Sequence, residues 1–452
     1  MALDTAAAAR AKIAFQRFGF GAKPGGPARI GGDPKGALLA EIANPAAALL
    51  TGGKLPNYAQ AARLGQTVYD KAYTLFRAER RARVLQATKP EIGFLERLVT
   101  FWSNHFSMSV WKDQTILATY GQLERDVIRR HVTGKFSDML LGVMQHPAMI
   151  AYLDNADSIG PRSPIGKSWG VGLNENLARE ILELHTVGVG GGYSEDDVTE
   201  FARVITGWSY VRGWEVDGHW NGGTEKLRGQ FLFREDWHEP GARTVMGKRY
   251  PAGGIAQGEA ALNDLARHPR TAEHIAFKLV LHFVTDTPTK AMVTPLARAF
   301  LDSDGDLGEV ARALVELPAA WSTPLGKIRT PYELSIAQFR ATGVDYPKIG
   351  DDWVYGEPLY ALHNLPWERG APDGYPDETA AWLDPDGMRV RLDTAQFFAD
   401  WFERRLKRPP GELADALFDA ALSGTSRRAI NGAEDQRAGY TVLFMSPEFQ
   451  RR

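Results

Sequence analysis

The densest set of chemically competent side chains lies in LNENLAREILELHTVGVGGGYSEDDVTEFARVITGW, residues 173–208. On a helical wheel, Leu173, Ile181 and Leu184 cluster within about 40° of Leu177 and form a buried stripe. Asn176, Glu180 and Glu183 line one flank, and His185 falls on the other, about 140° from Glu180. One unbroken helix therefore does not bring Glu180 and His185 to the same metal. Glu180 borders the apolar stripe, where desolvation raises a carboxyl pKa toward that of a general acid working near neutrality. Glu175 and Arg179 form an i,i+4 pair, and the bland reading of the segment is a capped amphipathic helix with solvated charges.

Other polar residues could join Glu180 from a distance. His105 lies in the apolar stripe of FLERLVTFWSNHF, with Trp102 and Asn104 beside it, where a lone histidine is commonly a satisfied core residue. His146-Pro147 closes a helix, and AYLDNADSIGPRSP places Asp154, Asn155 and Asp157 on a loop, where polar groups can meet in a cleft. These residues require a frame of helices. Asp4, Asp33-Pro34, Asp113, Ser137, Asn174, Ser194 (with Asp197 three residues later) and Asp306 read as helix starts, and Gly19 and Pro147 as stops. The pattern predicts helices at 57–86, 113–131, 137–146, 174–187, 194–206, 256–267, 271–285, 289–302, 306–316, 331–342, 392–407, 411–422 and 434–445, with another carrying FLERLVTFWSNHF. Residues 208–250 instead show β-formers between glycine turns and predict a small insertion of two or three antiparallel strands. From 343 to 388 the chain is rich in Pro, Gly, Trp and Asp and predicts a long ordered loop, since aromatics favour packing over disorder.

Several familiar chemistries are excluded. The 452 residues contain no Cys, so thiolate metal sites, disulfides and cysteine nucleophiles are absent. Lys+Arg number 53 against 55 Asp+Glu, a net charge of -2 that gives no drive toward nucleic acid. No apolar run reaches the length of a membrane span. GPRSPIGKS places five residues between its glycines where a phosphate loop has four, GFGAKPGG and VGVGGG lack the strand-to-helix setting of a dinucleotide fingerprint, and no G-x-S-x-G elbow occurs. DSDGDLGE has its glycine and glutamate too early for a calcium loop and reads as a turn with a cap. H-E-x-x-H is missing. Glu235-x-x-His238 falls in the β-rich part, and His274 and His282 flank Lys278, which repels a cation.

FWSNHF, MQHPAMIAYLDNADS, the 173–208 segment, ARHPRTAEHIAFKLVLHFVTDTP, DGDL, KIRTPYEL and MSPEFQ, in this order, resemble the large bacterial family called domain of unknown function 1800. The resemblance runs from about Phe15 to Gln450. It marks Trp102, Asn104, His105, His146, Asn155, Asn174, Glu175, Asn176, Arg179, Glu180, His185, Gly207, Trp208 and His238 as signature positions without giving them roles. It also implies an export signal, often of the twin-arginine type, which is missing from this chain. As written, the sequence predicts a soluble cytoplasmic protein, or a periplasmic or exported one if such a signal has been removed.

The expectation is a mainly α fold: one large helical domain over 1–452, with a β-hairpin insertion at 208–250 and an aromatic loop at 343–388. The leading functional reading is a hydrolase or lyase acting on a glycan or other polyhydroxy polymer, with no cofactor required. Glu180 is its general acid, Glu175 or Asp154 its partner, and His105 and His185 polarising groups. Asn104, Asn155, Asn176, Arg179, Trp208 and Trp367 would bind substrate, and Trp353 and Trp382 would extend the aromatic platform. One alternative is a metal- or haem-dependent oxidoreductase with ligands from His105, His146, His185 and His238. Another is a non-catalytic scaffold, in which the signature polar residues act as caps and core hydrogen bonds.

Overall fold

The computed structural model describes residues 3–50, 55–218, 224–343, 359–406 and 408–452. Helices start where the sequence offers caps. The Asp33 side chain accepts from Gly36 N ahead of Pro34–Ile42, Asp113 from Thr115 N, and Asp306 from Gly308 and Glu309 N. Ser194 and Asp197 complete a reciprocal capping box on Glu195–Val204. The predicted 57–86 helix is interrupted at Val68, whose extended backbone (φ -143) separates Tyr58–Thr67 from Tyr69–Thr88. The helix expected at 392–407 begins earlier, at Pro385, because Asp384 caps it through Gly387 N.

Phe94–His105 is a central helix, with Phe94, Leu98, Phe101, Trp102 and His105 all buried. Its N-terminus is held by Glu41, whose carboxylate accepts from the amides of Ile92, Gly93 and Phe94. Pro269–Phe283 packs on Lys290–Asp302, Tyr69–Thr88 on Gln114–Leu123, and Pro385–Glu403 on Gln436–Met445. A single apolar core extends from Ala14 to Phe449. Ion pairs cross it: Arg129 meets Glu96 at 2.7 Å and Glu124 at 3.0 Å, and Glu333 lies between Arg97 (2.7 Å) and Arg452 (2.6 Å). Buried pairs of this kind are better at specifying an arrangement than at stabilising it, because desolvation offsets much of the attraction.

Two departures from the sequence-based expectation affect the site. The β-rich insertion forms two separate antiparallel pairs. β1 (Trp208–Tyr210) pairs with β2 (Phe231–Phe233), and β3 (Arg243–Val245) with β4 (Lys248–Tyr250). The short helix Gly213–Asp217 lies between β1 and β2, and the Glu235–Trp237 turn separates the two pairs. The predicted 174–187 helix is an α segment, Asn176–Glu180, that continues as a π turn, Ile181–His185. A π turn widens the spiral by one residue, so the regular wheel no longer applies beyond Glu180. Among the described residues, no helix is long and apolar enough to cross a membrane.

Candidate functional site

The site is assembled by seating the aromatic loop on the central helix. Asn104 Nδ2 donates to Tyr375 O at 2.8 Å, and Tyr375 N donates to Asn104 Oδ1 at 2.7 Å, a reciprocal pair that fastens the loop like one rung of a ladder. Gly374, at φ 81, passes so close that a Cβ would lie 2.5 Å from Asn104 O, so only glycine fits. Trp367 plugs the other end of the loop. Its indole donates to Glu124 at 3.2 Å, and its ring sits 5.4 Å from that of Tyr120. Glu124 also accepts from Ser103 (2.7 Å) and pairs with Arg83 (3.3 Å), so the plug is tied into the core ion pairs. Beneath the loop is a cavity of about 60 Å³ bordered by Ser103, Tyr332, Asn364 and Asp377. It has room for roughly two water molecules and is too small for an organic substrate.

The loop tip carries Asp373 outward, into electrostatic range of Glu180. Glu180 is half-buried at the end of its α segment. Burial, then the Glu183 and Asp373 carboxylates, raise its carboxyl above the usual range, and Arg179 opposes them. At the end of Pro147–Tyr152, burial, then the Glu180 and Asp373 charges, push the Tyr152 phenol up to about 12. Its hydroxyl donates to Gly370 O at 3.3 Å, which joins that helix to the loop. Lys278, on Pro269–Phe283, has its ammonium pushed down by burial while Asp377 and Asp373 pull it up. Glu180, Asp373, Tyr152 and Lys278 thus form one electrostatically linked group, with two carboxylates in different surroundings.

Most other residues singled out from the sequence have structural roles. Glu175 accepts from Thr199 Oγ1 (2.7 Å) and pairs with Arg179 (3.4 Å), which also reaches Glu183 and Glu195. Glu175 is therefore an anchor between two helices rather than the partner of Glu180. Asn155 is buried, and its Nδ2 donates to the carbonyls of Ile205 (3.3 Å) and Trp208 (2.9 Å), which ties its turn to β1 rather than presenting it to a substrate. Asn176 is exposed, and its backbone amide is capped by Asn174 Oδ1 at 2.9 Å. Asp154 pairs with Lys112 at 2.7 Å and borders a different groove.

The aromatic platform is corrected by burial. Trp208 is 0% exposed and Trp367 5%, and Trp382 is buried with its indole donating to Pro376 O, so none presents a face on which a sugar could stack. Large apolar rings were drawn into the core by the area they hide from water. Trp353 lies outside the described residues.

The histidines divide. His105 and His185 are neighbours in the core, ring centroids 5.5 Å apart, with His105 Nε2 3.3 Å from His185 O. Burial pushes His105 well below the usual imidazole range and His185 down to about 3, so both are neutral and shielded from substrate. His274 extends the cluster, its ring 6.4 Å from that of His105. His146 instead caps its own helix through Ala148 N and packs edge-on to Tyr58, and His238 lies against Thr206. Among the described residues, no three His, Asp or Glu side chains are placed to hold a metal ion, so the set His105, His146, His185 and His238 is not gathered.

Sequence reasoning missed Asp373, Tyr152 and Lys278. Asp373 lies in the Pro/Gly/Trp-rich loop, Tyr152 two residues before Asp154, and Lys278 reads in the sequence only as a charge that repels metals. The sequence model of the family described as a protein of unknown function (DUF1800) matches residues 13–451. No curated protein and no solved structure matches the chain. The chain belongs to the DUF1800 family.

Proposed function

We propose that this member of the family is an acid–base enzyme, a hydrolase or lyase of a glycan or other polyhydroxy substrate, with Glu180 as general acid and Asp373 as its partner carboxylate. The observation that carries the reading is the raised Glu180 carboxyl beside an exposed second carboxylate, since two such groups in unlike surroundings can divide acid and base roles. In a hydrolysis, the Glu180 O–H gives its proton to the leaving oxygen as the C–O bond breaks. Water adds to the carbon and passes a proton to Asp373. Tyr152, un-ionised at neutral pH, holds the loop carrying Asp373 through its bond to Gly370 O.

The test uses reducing-end release and unsaturated-product absorbance on a polysaccharide panel, with wild type, Glu180→Gln and Asp373→Asn compared on any polymer cleaved. Loss of a general acid lowers turnover by about 10²- to 10⁴-fold; a Glu180→Gln protein that cleaves at the wild-type rate refutes the assignment. Stability should move the other way. Because the folded pKa is raised, Glu180 contributes stability below the ordinary carboxylate pKa and loses it as pH rises through the folded value. Glu180→Gln, which never ionises, should therefore unfold at higher urea than wild type at pH 7.

A different observation favours a non-catalytic scaffold: Asn104, Asn155, Asn174 and Glu175 are all engaged in caps and internal hydrogen bonds. In that case Glu180→Gln alters stability alone.

A further inference from the structure

A groove of about 500 Å³ opens between the start of Gln114–Leu123, the turn after Tyr152 and the end of β1. Its size is that of small-molecule sites, which span roughly 300–1,000 Å³. We propose that this groove is a binding subsite for a neutral polyhydroxylated ligand, a glycan segment of a few sugar units, with Trp214 as its stacking platform. The proposal rests on the reading of the Glu180 site for the substrate class, and it adds where the chain is held.

The charge balance selects the ligand. The groove is lined by three carboxylates, Asp113, Asp154 and Asp157, and by two cations, Lys112 and Arg212. Lys112 is paired with Asp154 at 2.7 Å and Arg212 with Asp157 at 2.6 Å, while Asp113 accepts from Thr115 N at 2.6 Å. No surplus of positive charge remains for a phosphate or a polyanion. The concentration of carboxylate that a hard cation requires is also lacking, because two of the three acids face a lysine or an arginine. A rim that alternates paired donors and acceptors suits vicinal hydroxyls, each of which donates one hydrogen bond and accepts others. Gln66 closes one end of the groove, its Nε2 donating to Val211 O at 3.4 Å.

Trp214 supplies the apolar surface. It is 51% exposed on the short helix Gly213–Asp217, in contrast to the buried Trp208, Trp367 and Trp382. The Arg212 guanidinium lies 5.8 Å from its ring and 5.9 Å from that of Tyr210, bracing the indole from one side. The C–H face of a pyranose can then lie on the indole while its hydroxyls reach the paired charges. Asp154 holds its carboxylate there at φ 56, a conformation that costs about 1 kcal/mol or more in a residue other than glycine.

Tyr152 connects the groove to the Glu180 site. Lys112 Nζ donates to Tyr152 O and lies 5.5 Å from its ring, and Glu180 and Asp373 act on the phenol of the same residue through their charge.

Isothermal titration of the full-length protein with cellopentaose, maltopentaose, xylopentaose and chitopentaose tests the proposal, with inorganic phosphate as the anionic comparison. At least one pentasaccharide should bind with a Kd of about 1 mM or tighter. Trp214→Ala should weaken it at least 10-fold, Trp214→Phe should retain most of the affinity, and Asp154→Asn should weaken it several-fold, all with unchanged melting temperature. Phosphate should not compete. The proposal is overturned if none of the four binds, if Trp214→Ala and Asp154→Asn both bind like wild type, or if phosphate binds the groove more tightly than the sugars. Glu180→Gln separates the two readings. Unimpaired cleavage by that variant, with binding still lost in Trp214→Ala, removes the catalytic assignment and leaves the groove standing.

Discussion

Replacing Asn104 by alanine should release the loop that carries Asp373. The side chain makes two hydrogen bonds to one residue, 2.8 Å to Tyr375 O and 2.7 Å from Tyr375 N. Each is worth about 0.5–1.5 kcal/mol net, and the half-buried position adds a smaller penalty for groups left without a partner, so about 2–3 kcal/mol of local stability is at stake. At about 1.4 kcal/mol per factor of ten, exchange of the Tyr375 amide hydrogen through local opening should accelerate about 30- to 150-fold. Trp367 remains anchored to Glu124, so the increase should be confined to the 368–377 stretch and should not spread to Phe94–His105. A second readout follows from electrostatics. Asp373 and burial both raise the Glu180 carboxyl, so a released loop should let Glu180 titrate closer to an ordinary glutamate. Hydrogen exchange measures the first effect, and carbon-13 carboxyl titration of the variant the second. If the Tyr375 amide exchanges at the wild-type rate, Asn104 does not hold the loop. If the loop opens while Glu180 titrates unchanged, Asp373 is not part of its environment, and the carboxylate pair is refuted.

Two further outcomes can be stated from the buried charges. His105, His146 and His185 are buried in the neutral form, His146 and His185 pushed down to about 3 and His105 well below its usual range. A folded pKa below the unfolded value of ~6.5 means stability is present above that value and lost as pH falls. Each histidine should cost about 2 kcal/mol between pH 7 and pH 5, about 6 kcal/mol together, against a total of about 5–15. The urea midpoint should therefore fall sharply over that interval, and a flat profile would contradict the buried neutral assignment. Glu124→Ala removes one of the two carboxylates paired with Arg129, the carboxylate that faces Arg83, and the Trp367 anchor. A loss of about 3–5 kcal/mol is expected from urea unfolding, and a loss below about 1 kcal/mol would show that the network contributes no structural constraint.

The helical frame was legible because its signals are local. Asp33-Pro34, Asp113, the Ser194–Asp197 box and Asp306 are each satisfied by an amide within three residues, so short windows of sequence contain the whole interaction. The site was less legible for two physical reasons. First, the π turn at Ile181–His185 breaks the regular wheel at the residue whose neighbours matter most. Glu180 was placed correctly at the edge of the apolar stripe, but the surroundings of His185 could not be projected through a spiral of different pitch. Second, Asp373, the carboxylate proposed as the partner of Glu180, comes from a loop far along the chain. The composition of 343–388 predicted order through aromatic packing, and Trp367 and Trp382 do pack. Which rings turn inward depends on what lies beneath them, so buried anchors were taken for an exposed platform.

The polar residues that proved structural are not scattered at random with respect to the two sites. Asn104 fixes Tyr375, two residues from Asp373. Asn155 grips the carbonyl of Trp208 in β1, the strand that leads to Arg212 and Trp214. Asn174 donates to the carbonyl of Asp154 at 3.3 Å and caps the segment that ends in Glu180. Glu175 and Arg179 lash that same segment to Glu195–Val204. Each of these side chains therefore secures a piece of backbone that bears a residue of the Glu180 site or of the Trp214 groove. Amides suit the task because a carboxamide donates and accepts at once without a charge to desolvate. A constellation held within a fraction of an ångström requires such fasteners behind it. The scaffold reading and the enzyme reading then explain the same amides differently: in the first they are the purpose of the residues, and in the second they serve the groups they position. The distinguishing quantity is whether substitution of Asn104 or Asn174 changes the titration of Glu180 beyond what the loss of global stability requires.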